Sequence, residues 1–127
     1  MNVNCFEDLN LSQDVLKGIS DMGWKVPSPI QAHSMGFLLD GRDVVGQAQT
    51  GTGKTAAFGI PMIENVNPGF KAVQGLILVP TRELAVQIAE HLGQLAKYRG
   101  VKVLAVYGGD SMQRQTVAMR HGAQIVA

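Results

Sequence analysis

A glycine-rich segment at residues 48–55, called the glycine loop below, restricts the fold of this chain more than any other feature. It reads Ala48-Gln49-Thr50-Gly51-Thr52-Gly53-Lys54-Thr55. The short apolar run Val44-Val45 precedes it, and a segment with helical character, residues 54–65, follows it. A strand, a glycine-rich turn and a helix in this order are typical of a loop that binds phosphate groups.

The residue types in the glycine loop suit phosphate chemistry. Phosphate oxygens need several donors at once, and the first N–H groups of a helix are unpaired donors with a favourable dipole. Gly51 and Gly53 allow backbone conformations that a side chain would forbid. Lys54 is predicted to reach the β- and γ-phosphates, and Thr55 to place its hydroxyl on Mg²⁺. Ala48 replaces the first glycine of the general pattern, at the position farthest from the phosphates, and an ordinary capped turn is the alternative.

Apolar segments of two kinds alternate along the chain. Helical periodicity and capping residues predict helices at residues 12–22, from 29 to a stop at 41, and at 54–65, 82–98 and 112–121. Continuous apolar runs predict strands at residues 44–45, 76–79, 102–107 and 123–127. This alternation predicts an α/β fold, with a parallel β-sheet connected by crossover helices.

Composition excludes several classes of protein. The chain has 127 residues, 46% of them hydrophobic and 17% charged, with a formal net charge of +1. These values favour one globular domain over a disordered chain, and they exclude a strongly basic nucleic-acid surface. The single Cys5 cannot form an intrachain disulfide, and we find neither a signal peptide nor an apolar run near the ~20 residues of a membrane span. A cytoplasmic location is expected.

Gln31 has two interpretations from local chemistry. Its amide can pair with the N6 and N7 edge of adenine, where guanine would offer a second acceptor. Phe6, farther upstream, is an aromatic ring that can stack on a base. Ser28-Pro29-Ile30-Gln31 is equally a capping box, in which Gln31 reaches back to the N–H of the cap residue. The residues alone leave both interpretations open.

Arg82 follows a predicted strand, where parallel sheets bind ligands, and it opens a helix. A cation opposes the dipole at a helix start, and a bound phosphate would remove that conflict. The alternative has Thr81 as the helix cap and Arg82 in solvent. Lys97, Arg99 and Lys102 are expected on a solvated basic face.

These motifs together resemble the N-terminal part of a DEAD-box RNA helicase. The stretch around Pro27 and Gln31, with Phe6 upstream, is similar to the Q motif of that family. The glycine loop matches motif I, residues 80–85 (Pro-Thr-Arg-Glu-Leu-Ala) match motif Ia, and Gly108-Gly109 matches the GG element. The chain departs from the family at Trp24, where Phe or Tyr is usual, and at Ser28, where Thr is usual.

The resemblance implies a RecA-like P-loop domain that binds ATP with Mg²⁺ and contacts the RNA sugar-phosphate backbone without reading its sequence. It implies that Gln31 reads adenine, that Phe6 stacks on it and that the Val26 backbone completes the contacts. Arg82, with the backbone near Pro80, would hold an RNA phosphate, and Gly109 would let the RNA backbone approach closely. Together with Phe6, Val26 and Gln31, the implied ATP site comprises Ala48, Gln49, Thr50, Gly51, Thr52, Gly53, Lys54 and Thr55. Lys54 and Thr55 are its catalytic residues, and Thr55 is its metal ligand.

We expect residues 1–127 to form the N-terminal portion of the first RecA-like domain, with the metal-binding carboxylates beyond Ala127. On this interpretation they bind nucleotide without efficient hydrolysis or unwinding, while the parent protein is an ATP-dependent RNA helicase. Two alternatives remain at this point. One is a nucleotide-regulated binding module without turnover, and the other is a P-loop kinase or ATPase unrelated to RNA.

Overall fold

The fold is that of a computed structural model, which describes residues 3–127. Within these residues a short 3₁₀ turn, Phe6–Leu9, comes before the first helix. The α-helices are α1 (Gln13–Asp21), α2 (Pro29–Leu39), α3 (Lys54–Asn65), α4 (Arg82–Leu95) and α5 (Met112–Arg120). The strands are β1 (Gly75–Leu76), β2 (Val103–Leu104) and β3 (Ile125–Val126). No helix in the described part of the chain is long and apolar enough to cross a membrane.

Side-chain caps begin three of the helices. The hydroxyl of Ser12 accepts the N–H of Val15 at the start of α1. The Thr81 hydroxyl caps α4 by accepting the N–H of Leu84. The Ser111 hydroxyl caps α5 by accepting the N–H of Arg114. Such caps satisfy N–H groups that have no partner inside the helix. All five predicted helices are therefore confirmed, within a few residues at their ends.

The sheet is parallel, and β3 lies in its centre. Strand β3 pairs with β1 on one side and with β2 on the other, with Ile125 opposite Gly75 and Val103. Both residues of β3 are buried, as expected for a central strand covered on both faces. Helix α4 connects β1 to β2, and α5 connects β2 to β3. The predicted parallel sheet with crossover helices is confirmed, although its regular strands are shorter than expected.

The prediction of a buried strand at Val44-Val45 is wrong. In the structure this segment forms no ladder with any described strand, and the side chain of Val45 is fully exposed. A strand exists only where its N–H and C=O groups pair with a neighbour. Val44 and Leu78, which follows β1, instead both line a groove of about 820 Å³. The apolar run alone indicates burial but does not indicate a pairing partner.

Helix α3 is at the centre of the helical packing, between α2 and α4. Its Glu64 carboxylate accepts hydrogen bonds from both the N–H and the hydroxyl of Ser12, and this joins the start of α1 to α3. The largest fully buried side chains of the core come from the 3₁₀ turn, α1, α2, α3, α4 and β3: Phe6, Val15, Ile19, Met35, Ile60, Ile63, Leu92, Leu95 and Ile125. This core holds the start of α3, and with it the glycine loop, against the rest of the domain.

Arg99 stabilises the end of α3, so its expected place on a solvated face is wrong. Its Nε donates to the carbonyl of Ile63 at 2.9 Å, and its Nη2 donates to the carbonyls of Glu64 at 2.7 Å and Val66 at 3.2 Å. The last carbonyls of a helix have no partner within the helix, and a cation there also complements the helix dipole.

A polar cluster joins α1 to the end of α4. The ammonium of Lys97 lies 2.8 Å from the Asp21 carboxylate, and the hydroxyl of Tyr98 donates to the same group. The hydrogen bond from Lys97 and then that from Tyr98 hold the pKa of Asp21 below its ordinary value. Lys17 lies over the Tyr98 ring, 4.4 Å from its centroid. The cluster is exposed, so it orients the two helices more than it stabilises them.

We expect Arg99→Ala to lower the free energy of unfolding by about 2 kcal/mol, because carbonyls at the end of α3 lose a charged donor. Urea unfolding followed by circular dichroism measures the change. Arg114→Ala, an exposed substitution of the same type on α5, should stay within about 0.5 kcal/mol of the original protein. Equal effects of the two substitutions would contradict the capping role.

Candidate functional site

The glycine loop takes a conformation that requires glycine at two positions. Gly51 and Gly53 have φ angles of 83° and 90°, in the left-handed region. A residue with a Cβ costs about 1–2 kcal/mol in that region. Between them, the hydroxyl of Thr52 donates to the carbonyl of Gln49 at 2.6 Å and tightens the turn. The chain then enters α3, with Gly53 as its cap residue.

Lys54 is the first residue of α3, and its exposed side chain folds back across the glycine loop. Its Nζ donates to the carbonyl of Ala48 at 2.5 Å. The first turn of α3 contains no acidic side chain. The positive end of the helix dipole and the ammonium therefore lie together at one end of the helix, and this arrangement favours an anion as ligand.

Gln31 connects α2 to the glycine loop. Its Oε1 accepts the N–H of Ser28 at 3.0 Å, so the contact expected of a capping box is present. Its Nε2 donates to the carbonyl of Gly53 at 3.1 Å, a contact that the sequence did not predict. The side chain is only 5% exposed. Each end of a carboxamide can still make one further hydrogen bond, because Nε2 has two hydrogens and Oε1 two lone pairs.

The groove already described runs from the glycine loop to helix α4. Its polar lining includes Thr50, Lys54 and Thr55, and the remaining lining is mostly apolar. The rings of Trp24 and His91, also in the lining, meet edge to face with their centroids 5.5 Å apart. None of the described residues that line the groove is Asp or Glu. Over residues 3–127 there is no cluster of three or more His, Cys, Asp or Glu side chains that could hold a metal ion.

A second cleft, of about 510 Å³, lies where the chain leaves the β1 and β2 regions at their carboxyl ends. We call it the Arg82 cleft, and its lining consists of Arg82, Glu83, Val86, Tyr107, Gly109 and Asp110. A Cβ on Gly109 would lie 3.5 Å from Nη1 of Arg82, so these two predicted residues are neighbours. Pro80, the third predicted residue of this group, lines the groove instead.

Comparison with known proteins identifies the family. The model of the DEAD/DEAH box helicase family matches residues 28–127, which include the glycine loop, Arg82 and Gly109. The chain belongs to this family. The match excludes a P-loop kinase; of the alternative of an ATPase unrelated to RNA, it excludes members of other families.

Relatives of this DEAD/DEAH box helicase chain include two bacterial proteins. The chain is 52% identical over 122 residues to the ATP-dependent RNA helicase DeaD of Escherichia coli (strain K12), and it covers 19% of that protein. It is 46% identical over 121 residues to the DEAD-box ATP-dependent RNA helicase CshA of Bacillus subtilis (strain 168), covering 24% of it. In each case 95% of the present chain is aligned. The chain thus spans about a fifth to a quarter of the length of these relatives.

Solved structures agree with the fold. A DEAD box protein from the hyperthermophile Methanococcus jannaschii matches with a TM-score of 0.94 and 38% identity. The match covers 100% of the present chain and 35% of the chain of that protein. The RNA helicase Prp28 from Chaetomium thermophilum, solved with ADP, matches with a TM-score of 0.84 and 36% identity. This match covers 96% of the present chain and 31% of the Prp28 chain. The RecA-like fold class predicted for the chain is confirmed.

The predicted base-contact residues of this DEAD/DEAH box helicase chain differ in exposure. Val26 is 68% exposed and lies in the segment that leads into α2. Phe6 is 2% exposed and packs in the core, so stacking on a base would require its 3₁₀ turn to move outward. The roles of both residues stay predictions. Sequence reasoning missed Tyr107 and Asp110, which line the Arg82 cleft, and Gln115, which bonds to the backbone of Tyr107. No periodicity or motif connects these residues, because their contacts arise from the fold.

Proposed function

We propose that the chain forms the ATP-binding and RNA-contacting part of an ATP-dependent RNA helicase. The relatives DeaD and CshA bear that description. The observation that carries the proposal is the glycine loop itself, with two left-handed glycines and an ammonium at the start of α3. This is the geometry that a string of phosphate oxygens needs, because N–H donors and positive charge converge at one point.

In the proposed complex the loop backbone holds the phosphates of ATP. The N–H groups of residues 50–55 donate to phosphate oxygens, and the Lys54 ammonium exchanges the carbonyl of Ala48 for the β- and γ-phosphates. Ala48, Gln49 and Thr52 shape the loop, and the Thr52 hydroxyl is already engaged with the Gln49 carbonyl. The cation at Lys54 then meets the charge that develops during phosphoryl transfer.

Thr55 suits the role of a Mg²⁺ ligand. It lies in the first turn of α3 and lines the same groove as Lys54, and its hydroxyl offers the oxygen that Mg²⁺ prefers. A bound Mg²⁺ would supply positive charge to the β- and γ-phosphates. The carboxylate partners of that ion are proposed to come from residues outside this chain.

The proposed base site uses the remaining capacity of Gln31. One hydrogen of Nε2 and one lone pair of Oε1 are left after the contacts to Gly53 and Ser28, and adenine needs one of each. Capping and base reading are therefore compatible. The backbone at Val26 and the ring of Phe6 complete the proposed site. Because Gln31 also touches Gly53, base binding and loop geometry would be coupled.

RNA is proposed to bind at the Arg82 cleft through its sugar-phosphate backbone. Arg82 supplies a guanidinium suited to phosphate, and Gly109 leaves the main chain open to close approach. Pro80, two residues before Arg82, lines the groove that also contains Lys54 and Thr55. Contacts of this kind carry no base information, and the proposed binding is independent of sequence.

The organisation and location of the protein are further parts of the proposal. The 127 residues would be the N-terminal portion of the first RecA-like domain, carrying the Q motif, motif I, motif Ia and the GG element. Cys5 is a free thiol in the described structure. A free thiol is usual in a reducing compartment, and this supports a cytoplasmic location.

We expect Lys54→Ala to weaken ATP binding about 10- to 100-fold and AMP binding less than about 3-fold, because a charged hydrogen bond to the β- and γ-phosphates is lost. Calorimetric titration of the two nucleotides with magnesium measures both effects. Lys102→Ala, which removes a similar exposed ammonium remote from the loop, is the control. Equal losses for ATP and AMP would show that Lys54 makes no polyphosphate contact.

We expect the original chain to prefer ATP over GTP by about 10-fold, and Gln31→Ala to reduce that preference to about 2-fold, because the paired contact with the base is lost. Competition binding gives the ratio of the two dissociation constants. Gln31→Glu is the isosteric companion, since it keeps an acceptor for the Ser28 N–H but has no donor for N7. An unchanged ratio, with both nucleotides weakened alike, would mean that Gln31 acts on Gly53 and not on the base.

A binding module without turnover is the second candidate for the 127 residues by themselves. It is favoured by one observation, the lack of any Asp or Glu among the described residues lining the groove. Release of phosphate from ATP by these residues alone, with RNA present, is expected to be at least about 100-fold slower than by the complete protein, because groups that stabilise the transition state are missing. Similar rates in a phosphate-release assay would contradict this expectation.

A further inference from the structure

The Arg82 cleft has an unusual charge balance for a phosphate site. Its lining contains one cation, Arg82, and two carboxylates, Glu83 and Asp110. Nη2 of Arg82 lies 3.7 Å from Oε1 of Glu83, and both side chains are more than half exposed. A phosphate approaching this cleft is attracted only if the guanidinium faces it and is not drawn away by the carboxylates. The position of the Arg82 side chain therefore decides the affinity more than the net charge does.

The half-buried Tyr107 faces the guanidinium with its ring. The Cζ atom of Arg82 lies over the Tyr107 ring, 5.8 Å from its centroid. At this distance the negative face of the ring attracts the cation. The ring thus competes with Glu83 for Arg82, and it does so without occupying the N–H donors at the edge of the guanidinium.

The backbone of Tyr107 is attached to helix α5. The side chain of Gln115, from α5, accepts the N–H of Tyr107 at 2.8 Å and donates to its carbonyl at 2.9 Å. These paired bonds attach the chain beyond β2 to α5. Because its backbone is already held, Tyr107 loses less conformational entropy when its side chain contacts Arg82.

The hydroxyl of Tyr107 acts on the second carboxylate of the cleft. It donates to Oδ2 of Asp110 at 3.3 Å, while Oδ1 of Asp110 accepts the N–H of Ser111 at 2.8 Å. Both oxygens of Asp110 are thereby engaged away from Arg82. Tyr107 thus contacts both the guanidinium and this carboxylate.

We propose that Tyr107 is a positioning residue for Arg82, which it holds ready for a phosphate of the RNA backbone. The inference rests on the proposed function, because it assigns a phosphate contact to Arg82. It adds that the ring, and not only the arginine, sets the affinity for RNA. Gly109, with a φ angle of 85°, keeps the space beside Nη1 free for that phosphate.

The test is a set of four variants of the complete encoded protein: Arg82→Ala, Tyr107→Leu, Tyr107→Phe and the double variant Arg82→Ala/Tyr107→Leu. A fluorescent single-stranded oligouridylate is titrated at several salt concentrations, and anisotropy gives the dissociation constant. Arg82→Ala should weaken binding and lower the slope of log K against log salt by about 1, as expected for one lost phosphate contact. Tyr107→Leu should weaken binding about 2- to 5-fold, the range of an exposed cation–π contact.

The double variant distinguishes positioning from direct contact. If Tyr107 acts through Arg82, Tyr107→Leu should have no further effect in the Arg82→Ala background. Tyr107→Phe keeps the ring and should stay within about 2-fold of the original affinity. It also keeps the proposal testable if the leucine variant does not fold.

Three results would overturn the proposal. Equal weakening by Tyr107→Leu in both backgrounds would mean that the ring contacts RNA itself. An equal loss of affinity in Tyr107→Phe and Tyr107→Leu would mean that the ring does not position Arg82. No effect of Tyr107→Leu, while Arg82→Ala weakens binding, would refute the role of Tyr107 and leave the proposed function intact. An Arg82→Ala protein with the original affinity and salt slope would instead mean that the RNA contact at this cleft fails.

Discussion

The hydrogen bond from Gln31 to the carbonyl of Gly53 is the contact on which the candidate site depends most. It joins the first turn of α2 to the cap residue of α3, two places 22 residues apart in the chain. Gly53 can adopt its left-handed conformation only because it has no side chain, and a Cβ there would collide with the amide of Gln31. The shape of the glycine loop and the capping of α2 are thus one structural unit. The packing of α2 on α3 holds that unit in place.

Helices and the glycine loop could be predicted because their signals are local. Ser12, Pro29 and Thr81 mark helix starts through contacts within one turn, and the structure has helices beginning at or next to them. The loop is identified by glycine and lysine spacing, which depends on the geometry of one turn and one helix start. The order of strands and helices then predicts a parallel sheet, since a crossover helix suits only that arrangement.

What could not be predicted depends on contacts between distant segments. Val44-Val45 is as apolar as a core strand, but pairing requires a neighbour, and the sequence does not say which strand that is. Arg99 reads as a surface cation because nothing near it in the chain indicates the carbonyls of α3, some 35 residues away. Tyr107 has no evident role until the fold places its ring beside Arg82, and the same holds for Gln115, which bonds to the Tyr107 backbone. Of the contacts that orient residues of the candidate site, the bond between Gln31 and the Ser28 N–H was predicted, because it lies within one turn, while those of Gln31 with Gly53 and of Arg82 with Tyr107 were not.

The bond between Lys54 and the carbonyl of Ala48 has a thermodynamic consequence. An anion that draws the ammonium off this carbonyl replaces an acceptor already in place, at 2.5 Å. Binding is then an exchange of one hydrogen bond for another, and the carbonyl returns to water or to another donor. The measured affinity reports only the difference between the two states, so it understates the strength of the new contact. The same exchange holds the lysine in an ordered position between successive occupants, which reduces the entropy lost each time one arrives.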